Sequence, residues 1–452
     1  MAVKPAIKTL TNSSIDILNA IRNSSSTNYQ DYVPVATADA EIIRAIGSVI
    51  MDSPNLQNEF LNSLVNRIGL VIVKSKMYSN PWKTFKRGVL EYGEVIEEIF
   101  VEIANVHQYD PIVAESQLFK REIPDVRTAF HVMNYQKFYK ATIQRTELKK
   151  AFLSINGVTD LITKIIESMY SGAEYDEFIV MKYLLAKHLL NGQINPESIP
   201  AVTKANAKDI TTTIRGVSDA LVFMSDKNNI AKVRNYTPKE EQYIILNTKF
   251  NSIMDVEVLS AAFNMDKADF MGHRILIDGF GEMDDERLTM LFTSDPTYVA
   301  LTANEKAALN EIPAIICDKD WFMIYDQLIE VTDAPNQEGL YWNYWLHLWK
   351  TFSVSPFANA KAFVPGTPAI TSVTVTPASA TIKIGQTLSL STIVETEYFA
   401  PETVSYTSSV SAVATVSASG VIIGLTAGTT TITVKSLFDP LKTDTVAITV
   451  IE

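Results

Sequence analysis

The pattern of apolar and polar positions changes character near residue 370. From Thr371 onward, Thr, Ser, Val and Ile alternate in short runs with little charge, and turn-forming pairs such as Ser419-Gly420 separate the runs. Short strands of period two, spaced by turns, are typical of an antiparallel β-sandwich. We therefore predict an all-β domain over residues 370–452, at the end of a larger body of mixed helices and strands.

A short linker is predicted over residues 365–369, where the chain reads Pro365-Gly366-Thr367-Pro368. Proline-rich linkers are semi-rigid spacers. We therefore expect the sandwich to stand away from the body on the outer surface, and to be dispensable for the body's assembly.

Helical periodicity is clearest over residues 152–190. Apolar side chains recur there at i, i+3, i+4, i+7, i+8 and i+11, namely at Val158, Leu161, Ile162, Ile165, Ile166 and Met169. The pattern resumes after Ser171-Gly172 and stops at Asn191-Gly192, a pair that commonly ends helices. The spacing predicts one long helix, which we call the spine helix.

Strand periodicity is strongest over residues 339–354, where the even positions from Trp342 onward are almost all apolar or aromatic. At about 3.3 Å per residue such a strand spans roughly 50 Å, far beyond an ordinary strand. We expect one face of it to lie under the spine helix. The residues predicted on that face are Trp342, Tyr344, Leu346, Leu348, Phe352 and Val354.

Other parts of the body give weaker patterns. Residues 1–50 are polar at first and include a Ser/Asn tract, so we expect an extended or loosely helical arm that needs a partner surface. The run Phe60–Val73 passes from helical spacing into strand-like spacing. Residues 195–335 look α/β. The predicted helical patches are Lys208–Met224 and Val256–Phe263, and the predicted strands are Ile275–Asp278 and Trp321–Tyr325.

Residues 74–144 are highly charged and offer few apolar positions for a core of their own. A basic group, Trp82, Lys83, Lys86 and Arg87, is followed by an acidic run. One interpretation is a solvated, irregular surface segment. The other is an extended limb whose charges pair with neighbouring subunits, and composition alone leaves both open.

Charge and cysteine content narrow the function classes. The 452 residues carry a formal net charge of −12. The chain therefore lacks the strongly basic character that is typical of nucleic-acid-binding proteins. The single cysteine, Cys317, allows no internal disulfide and lies in an apolar run, so we expect it to be buried. No secretory signal or membrane-spanning run is apparent, and we expect folding in a cytoplasm without membrane contact.

Candidate chemistry is sparse. No glycine-rich phosphate loop occurs, and the five histidines lack metal-ligand spacing. His188 and His347 lie in apolar patterns, which favours structural roles. An acidic cluster lacks the alternation of a calcium loop and is interpreted as solvated; it comprises Glu282, Asp284, Asp285 and Glu286. We therefore predict no catalytic, cofactor or metal site, and no enzyme activity.

Several ordered segments nevertheless form a specific series. The most specific are Asp318–Asp326, Gly339–Tyr344 and Phe357–Ala360. With Asn66–Val71 and Ile277–Phe280, they make the chain resemble the major head (capsid) proteins of small short-tailed bacteriophages of the Picovirinae type, over nearly its whole length.

This resemblance implies an α+β fold, the Hong Kong-phage-type capsid fold. The implied parts are an N-terminal arm (1–50) and a capsid body (51–364) with an E-loop (74–144), the spine helix (152–190), an A-domain (within 195–335) and a long P-domain strand (339–354). It also implies that the basic group lies at the E-loop tip. Trp82, Lys83, Lys86 and Arg87 thereby become candidate inter-subunit contacts.

The C-terminal sandwich resembles a bacterial immunoglobulin-like domain of group 2. Val373–Pro377, Ala412–Val416 and Leu425–Thr429 carry the match, whereas Tyr406 stands where that domain usually has a core Trp. The resemblance implies that this domain is displayed on the surface, where it could contact a host cell surface.

The implied function is self-assembly into hexamers and pentamers that form an icosahedral or prolate head around double-stranded DNA. The implied partners are a scaffolding protein, a portal and non-specifically contacted DNA; the implied location is the virion, after assembly in the bacterial host cytoplasm. The alternative is a bacterial surface adhesin or polysaccharide-binding protein. An enzyme with a binding module is a third hypothesis.

Overall fold

The computed structural model describes residues 8–72, 78–91, 93–107, 120–144, 157–256 and 273–452. Its helices are α1 (Lys8–Ser24), α2 (Thr27–Tyr32), α3 (Ala40–Asp52), α4 (Pro54–Ile72), α5 (Gly157–Leu190), α6 (Ala207–Ala220), α7 (Thr248–Met254), α8 (Asp285–Leu291) and α9 (Ala303–Asn310). The strands of the body are β1 (Lys86–Val89), β2 (Ile96–Val101), β3 (Val126–His131), β4 (Tyr135–Gln144), β5 (Asn195–Ser198), β6 (Gln242–Asn247), β7 (His273–Ile277), β8 (Ala314–Asp318), β9 (Phe322–Asn336), β10 (Tyr341–Val354) and β11 (Ala360–Val364).

The spine helix is α5, which runs unbroken over 34 residues. This confirms the prediction of one helix through Ser171-Gly172; residues 152–156 lie outside the described part of the chain. The helix ends at Leu190; Gly192, two residues further on, has a φ of +60°, and the amide of Gln193 donates to the carbonyl of His188 at 2.8 Å. A glycine with positive φ is a common way to end a helix, because it lacks a Cβ.

A sheet in the order β1-β9-β10-β4 lies beside the spine helix. Alternate residues of β10 from Trp342 to Leu348 are buried and share a core with Ile166 and Met169 of α5, which confirms the predicted packing. Phe352 and Val354 pack into the neighbouring core instead. The predicted face is therefore shared between two cores.

The N-terminal segment is helical and packs on its own subunit. Ile21 of α1, Ile43 of α3 and Phe60 of α4 join the core formed by the spine helix and β10. Of the expected extended or loosely helical arm, the helical alternative is the one observed, because amphipathic helices bury more apolar surface here than an extended chain would. The surface on which it packs belongs to the same chain. The expected strand after Phe60 is wrong: α4 continues to Ile72, since a short β-branched run does not end a helix that has already formed.

The second sheet of the body has the order β5-β11-β8-β6-β7 and contributes to that neighbouring core and to one further core. Cys317 on β8 is fully buried, as predicted. The strand expected over Trp321–Tyr325 is part of the longer β9. The helix expected over Lys208–Met224 is α6, and the patch expected over Val256–Phe263 falls outside the described residues except for Val256.

The C-terminal domain is the predicted all-β sandwich. Its strands are β12 (Ala369–Thr376), β13 (Ser379–Lys383), β14 (Thr387–Ser389), β15 (Ser391–Glu397), β16 (Val404–Ser408), β17 (Ala414–Val416), β18 (Val421–Gly424), β19 (Gly428–Ser436) and β20 (Thr443–Ile451). They pair as β12-β15, β13-β20-β19-β16 and β14-β18-β17. Tyr406 packs against the core of this domain, and its hydroxyl lies 2.9 Å from that of Thr392.

The sandwich packs against the body, contrary to the expectation that it would stand away from it. β11 ends at Val364 and β12 begins at Ala369, so the connection is short. Phe399 of the sandwich packs against the largest core of the body. A connection of this length keeps the two surfaces adjacent, and their apolar side chains then bury each other.

Candidate assembly surface

A hairpin of β2 and β3 presents two chemically different faces. Glu97 pairs with Phe130, Ile99 with Thr128, and Val101 with Val126. Directly opposed residues of an antiparallel pair share a face, so these six lie together. The apolar members of this outer face are exposed: Ile99 57%, Val101 54%, Val126 48% and Phe130 63%.

The inner face of the hairpin is fixed to its own subunit. The buried His131 ring places Nδ1 2.7 Å from the Ser353 hydroxyl and Nε2 3.1 Å from a Glu98 carboxylate oxygen. The other Glu98 oxygen accepts from the Ser355 hydroxyl at 2.6 Å. Phe100 stacks on a ring of the body, with 5.5 Å between the centroids of Phe100 and Phe357.

Two further contacts hold the hairpin to one loop of the body. The Arg127 guanidinium donates to the carbonyl of Ala231, and the amide of Arg234 donates to the Glu102 carboxylate at 3.3 Å. The hairpin therefore has a defined position relative to the body. Its outer apolar face has no partner among the described residues.

Exposed apolar side chains continue along the same segment of the chain. They are Val89, Val95, Ile103, Val106, Ile123, Val132 and Phe138. Exposed apolar side chains concentrated in one segment are common at interaction sites. These side chains fit an extended limb better than a solvated surface segment, whereas pairing of its charges with neighbouring subunits stays a prediction.

Two members of the basic group lie inside the subunit. Trp82 is 0% exposed, and its ring packs edge-on against Phe178 at 5.6 Å between centroids. Lys86 Nζ lies 3.0 Å from Glu177 and 2.7 Å from Asp326. Their expected position at the E-loop tip is wrong, because this segment precedes the hairpin and enters the sheet through β1, which pairs with β9.

The other two members remain near the surface. Lys83 is exposed, whereas Arg87 is half-buried and pairs with Asp320 at 2.7 Å. A contact from Lys83 or Arg87 to a neighbouring subunit stays a prediction.

A buried ionic cluster lies under this basic group. Lys86, Lys350, Glu177 and Asp326 meet there, and Asn80 also donates to Glu177 at 2.8 Å. Burial acts to lower the pKa of Lys86, but Glu177 and Asp326 outweigh it and raise that pKa to about 12. Burial likewise acts to raise the pKa of Glu177, and Lys350 and Lys86 reverse this, so the pKa lies below its ordinary value.

The preceding acid, Asp176, holds a second buried cluster. Its carboxylate accepts from Arg287 Nε at 2.5 Å and from the Tyr139 hydroxyl at 2.6 Å. Burial is the main reason why the pKa of Tyr139 is raised. Sequence reasoning missed both clusters; the available signal was a pair of adjacent acids directly before the apolar run Phe178–Met181 of the spine helix.

The remaining candidate residues have structural roles. His188 is part-buried and its Nδ1 lies 2.8 Å from the Leu184 carbonyl, while His347 lies 3.2 Å from the Thr332 hydroxyl. Asp284 accepts from the amide of Arg287 and so caps α8, and Asp285 pairs with Lys306, so this acidic cluster begins a helix and is not simply a solvated loop.

Two features are absent from the part of the chain that the structure describes. Among those residues, His, Cys, Asp and Glu side chains form no group of three or more that could hold a metal ion. None of the described helices combines the length and the apolar character that a membrane span requires.

Comparisons with known proteins agree with this architecture. The Phi29-like phage major capsid protein family matches residues 18–364, and the bacterial Ig-like domain (group 2) matches residues 369–437. The chain is 39% identical over 382 residues to the major capsid protein of Bacillus phage B103, covering 82% of this chain and 78% of that one. It is 28% identical over 369 residues to the major capsid protein of Streptococcus phage Cp-1, covering 77% and 93%.

A solved structure supports the fold independently. The capsid structure of Staphylococcus phage Andhra matches with a TM-score of 0.52 at 15% identity, covering 65% of this chain and 86% of that one. This confirms the expected capsid fold of the body. Together with the sequence matches, it shows that the chain belongs to the Phi29-like phage major capsid protein family and carries a C-terminal bacterial Ig-like domain.

Proposed function

We propose that this phage capsid protein assembles into hexamers and pentamers through the outer face of the β2–β3 hairpin. The observation that carries the proposal is the exposure of Ile99, Val101, Val126 and Phe130 on a hairpin whose opposite face is fixed by named contacts. Covering such a face removes apolar area from water, and this stabilises the contact by about 25 cal/mol for each Å² buried.

A contact between two different surfaces of identical subunits is heterologous, and it closes into rings when the rotation permits. The hairpin face and a different surface of the next subunit would form such a contact. Rings of six and of five then close an icosahedral or prolate head. Lys83 and Arg87 lie at the base of this limb and are proposed as supplementary inter-subunit contacts.

The head would enclose double-stranded DNA and contact it weakly, without sequence preference. The formal net charge of −12 supports this, because tight non-specific binding to DNA relies on clustered Lys and Arg. A scaffolding protein and a portal are proposed as further partners of assembly. Assembly in the host cytoplasm is consistent with a single, buried Cys317.

The Ig-like domain is proposed to lie on the outer surface of the virion and to contact the host cell surface. Its exposed apolar side chains support an interaction role; the most exposed is Leu441, at 90%. Adsorption to host cells by phage that carry Leu441→Ser would test this role. Unchanged adsorption by that variant and by Phe438→Ser would count against it.

The hairpin proposal is tested by the double substitution Ile99→Ser and Phe130→Ser. Shell yield, measured by sedimentation and negative-stain microscopy, should fall at least tenfold, while urea unfolding of the unassembled subunit should hardly change. Leu441→Ser is the matched control, since it removes an exposed apolar side chain elsewhere. Normal shell yield from the double variant would refute the hairpin face as an assembly surface.

A further inference from the structure

A loop of the Ig-like domain, Glu397–Glu402, lies between the domain and the body; we call it the docking loop. Two of its residues, Tyr398 and Phe399, have φ values of +49° and +61°. Neither is glycine, and bulky residues rarely adopt this left-handed conformation. Such conformations persist where the surrounding structure holds them in place, and they often occur at functional contacts.

Consecutive residues of the docking loop belong to two different cores. Phe399 packs against the largest core of the body. Ala400, the next residue, is 1% exposed and belongs to the core of the Ig-like domain. The backbone is left-handed at Phe399, where the chain passes from one core to the other. The Phe399 side chain packs in the body, and the Ala400 side chain packs in the Ig-like domain.

The end of the spine helix fits closely against the same loop. A Cβ added to Gly192 would lie 2.6 Å from the carbonyl oxygen of Ala400 and 2.7 Å from Cα of Pro401. Both neighbours are backbone atoms, which cannot move aside as the end of a flexible side chain can. Gly192 therefore permits the close approach as well as the positive φ that ends the helix.

The linker makes a third contact. A Cβ added to Gly366 would lie 2.3 Å from the ring of Tyr398. The aromatic ring consequently covers the connection between the two domains. Tyr398, Phe399 and Ala400 together engage the linker, the body core and the end of the spine helix.

We propose that the Ig-like domain is an integral brace of its own subunit, fixed by the docking loop, and that the body and the domain unfold as one unit. The partner of this interaction surface is the end of the spine helix in the same chain. This goes beyond the assembly function, since it concerns the single subunit before any shell forms. It also predicts that ending the chain at Val364 destabilises the body.

A pair of glycine substitutions in the full-length, unassembled subunit tests the proposal. Gly192 and Gly385 both have positive φ, +60° and +79°, but nothing lies within 4 Å of a Cβ added to Gly385. Gly192→Ala and Gly385→Ala therefore introduce similar backbone strain. Only Gly192→Ala also disturbs the contact between the docking loop and the end of the spine helix. Proteolysis within residues 365–368 should be at least tenfold faster in Gly192→Ala than in Gly385→Ala.

Phe399→Ser provides a second variant that leaves the end of the helix intact. Calorimetry should show one unfolding transition for the wild-type subunit and two for Phe399→Ser, with Phe438→Ser, another aromatic of the same domain, behaving as wild type. Two separate transitions in the wild type would overturn the proposal. Equal proteolysis rates in wild type, Gly192→Ala and Phe399→Ser would overturn it as well, even if one variant folded poorly.

Discussion

Lys350 of the long strand and Glu177 of the spine helix form an ion pair inside the subunit, with side-chain exposures of 5% and 0%. The pair joins residues 173 positions apart in the chain. Lys86 and Asp326 complete the cluster, so that two positive and two negative groups meet in one buried place. The spine helix, β1, β9 and β10 are thereby connected by charge as well as by apolar packing.

Removing the charge of Glu177 should strongly destabilise the subunit. Glu177→Gln leaves Lys86 and Lys350 with only Asp326, and breaking a buried ion pair typically costs about 3–5 kcal/mol. Urea unfolding of the unassembled subunit measures the loss. Glu338→Gln, in an exposed turn, is the control and should shift the unfolding free energy by less than about 0.5 kcal/mol.

The two lysines of the basic group should behave differently. Lys86→Met leaves two buried carboxylates with one cation fewer, and should cost several kcal/mol, on the order of 3–5. Lys83→Met affects an exposed side chain and should stay within about 0.5 kcal/mol. Equal, small effects in thermal unfolding of both variants would contradict the buried position of Lys86.

The same cluster predicts a stability that declines at both extremes of pH. The pKa of Glu177 is lower in the folded subunit than the ordinary 4.5, so its contribution is present above 4.5 and is lost as pH falls through the folded pKa. The pKa of Lys86 rises from 10.5 to about 12, so its contribution is complete below 10.5 and is lost as pH rises through about 12. Unfolding free energies measured from pH 3 to pH 12 should show both declines, and Lys86→Met should reduce the alkaline one.

The long strand should respond differently on its two faces. Leu346 is fully buried against the spine helix, and Leu346→Ala should cost about 2–5 kcal/mol. His347 is half-buried on the opposite face, and His347→Ala should cost less. Denaturant titration of unassembled subunits gives both values; equal losses would show that the strand is covered alike on both faces.

The buried Asp176 carboxylate should depend more on the Arg287 guanidinium than on the Tyr139 hydroxyl. Arg287→Met removes the charge that balances this buried carboxylate. Tyr139→Phe removes the hydrogen bond to Asp176, worth about 1–3 kcal/mol, together with a longer one to the Tyr135 hydroxyl. We expect the arginine variant to lose more unfolding free energy. Tyr32→Phe, whose ring is 65% exposed, serves as the control for loss of a phenol.

The sequence by itself determined the elements whose signal is periodic. The spine helix, the alternating face of β10 and the strands of the Ig-like domain follow from residues only two to four positions apart, because each element has a fixed repeat and water separates its apolar from its polar face. The resemblance in the ordered series of segments, from Asn66–Val71 to Phe357–Ala360, then determined the family. None of these conclusions required knowledge of how distant parts of the chain meet.

Only the tertiary structure decided which charges are buried and which surfaces meet. Lys86 and Trp82 read as members of an exposed basic group, yet β1 brings them against Glu177 and Phe178, some ninety positions later in the chain. The contact of Phe399 with the body core likewise depends on where the spine helix ends, because the docking loop packs against that end. A buried charge is stabilised by a partner that is distant in sequence and not by its neighbours in the chain. Local composition therefore does not predict such contacts.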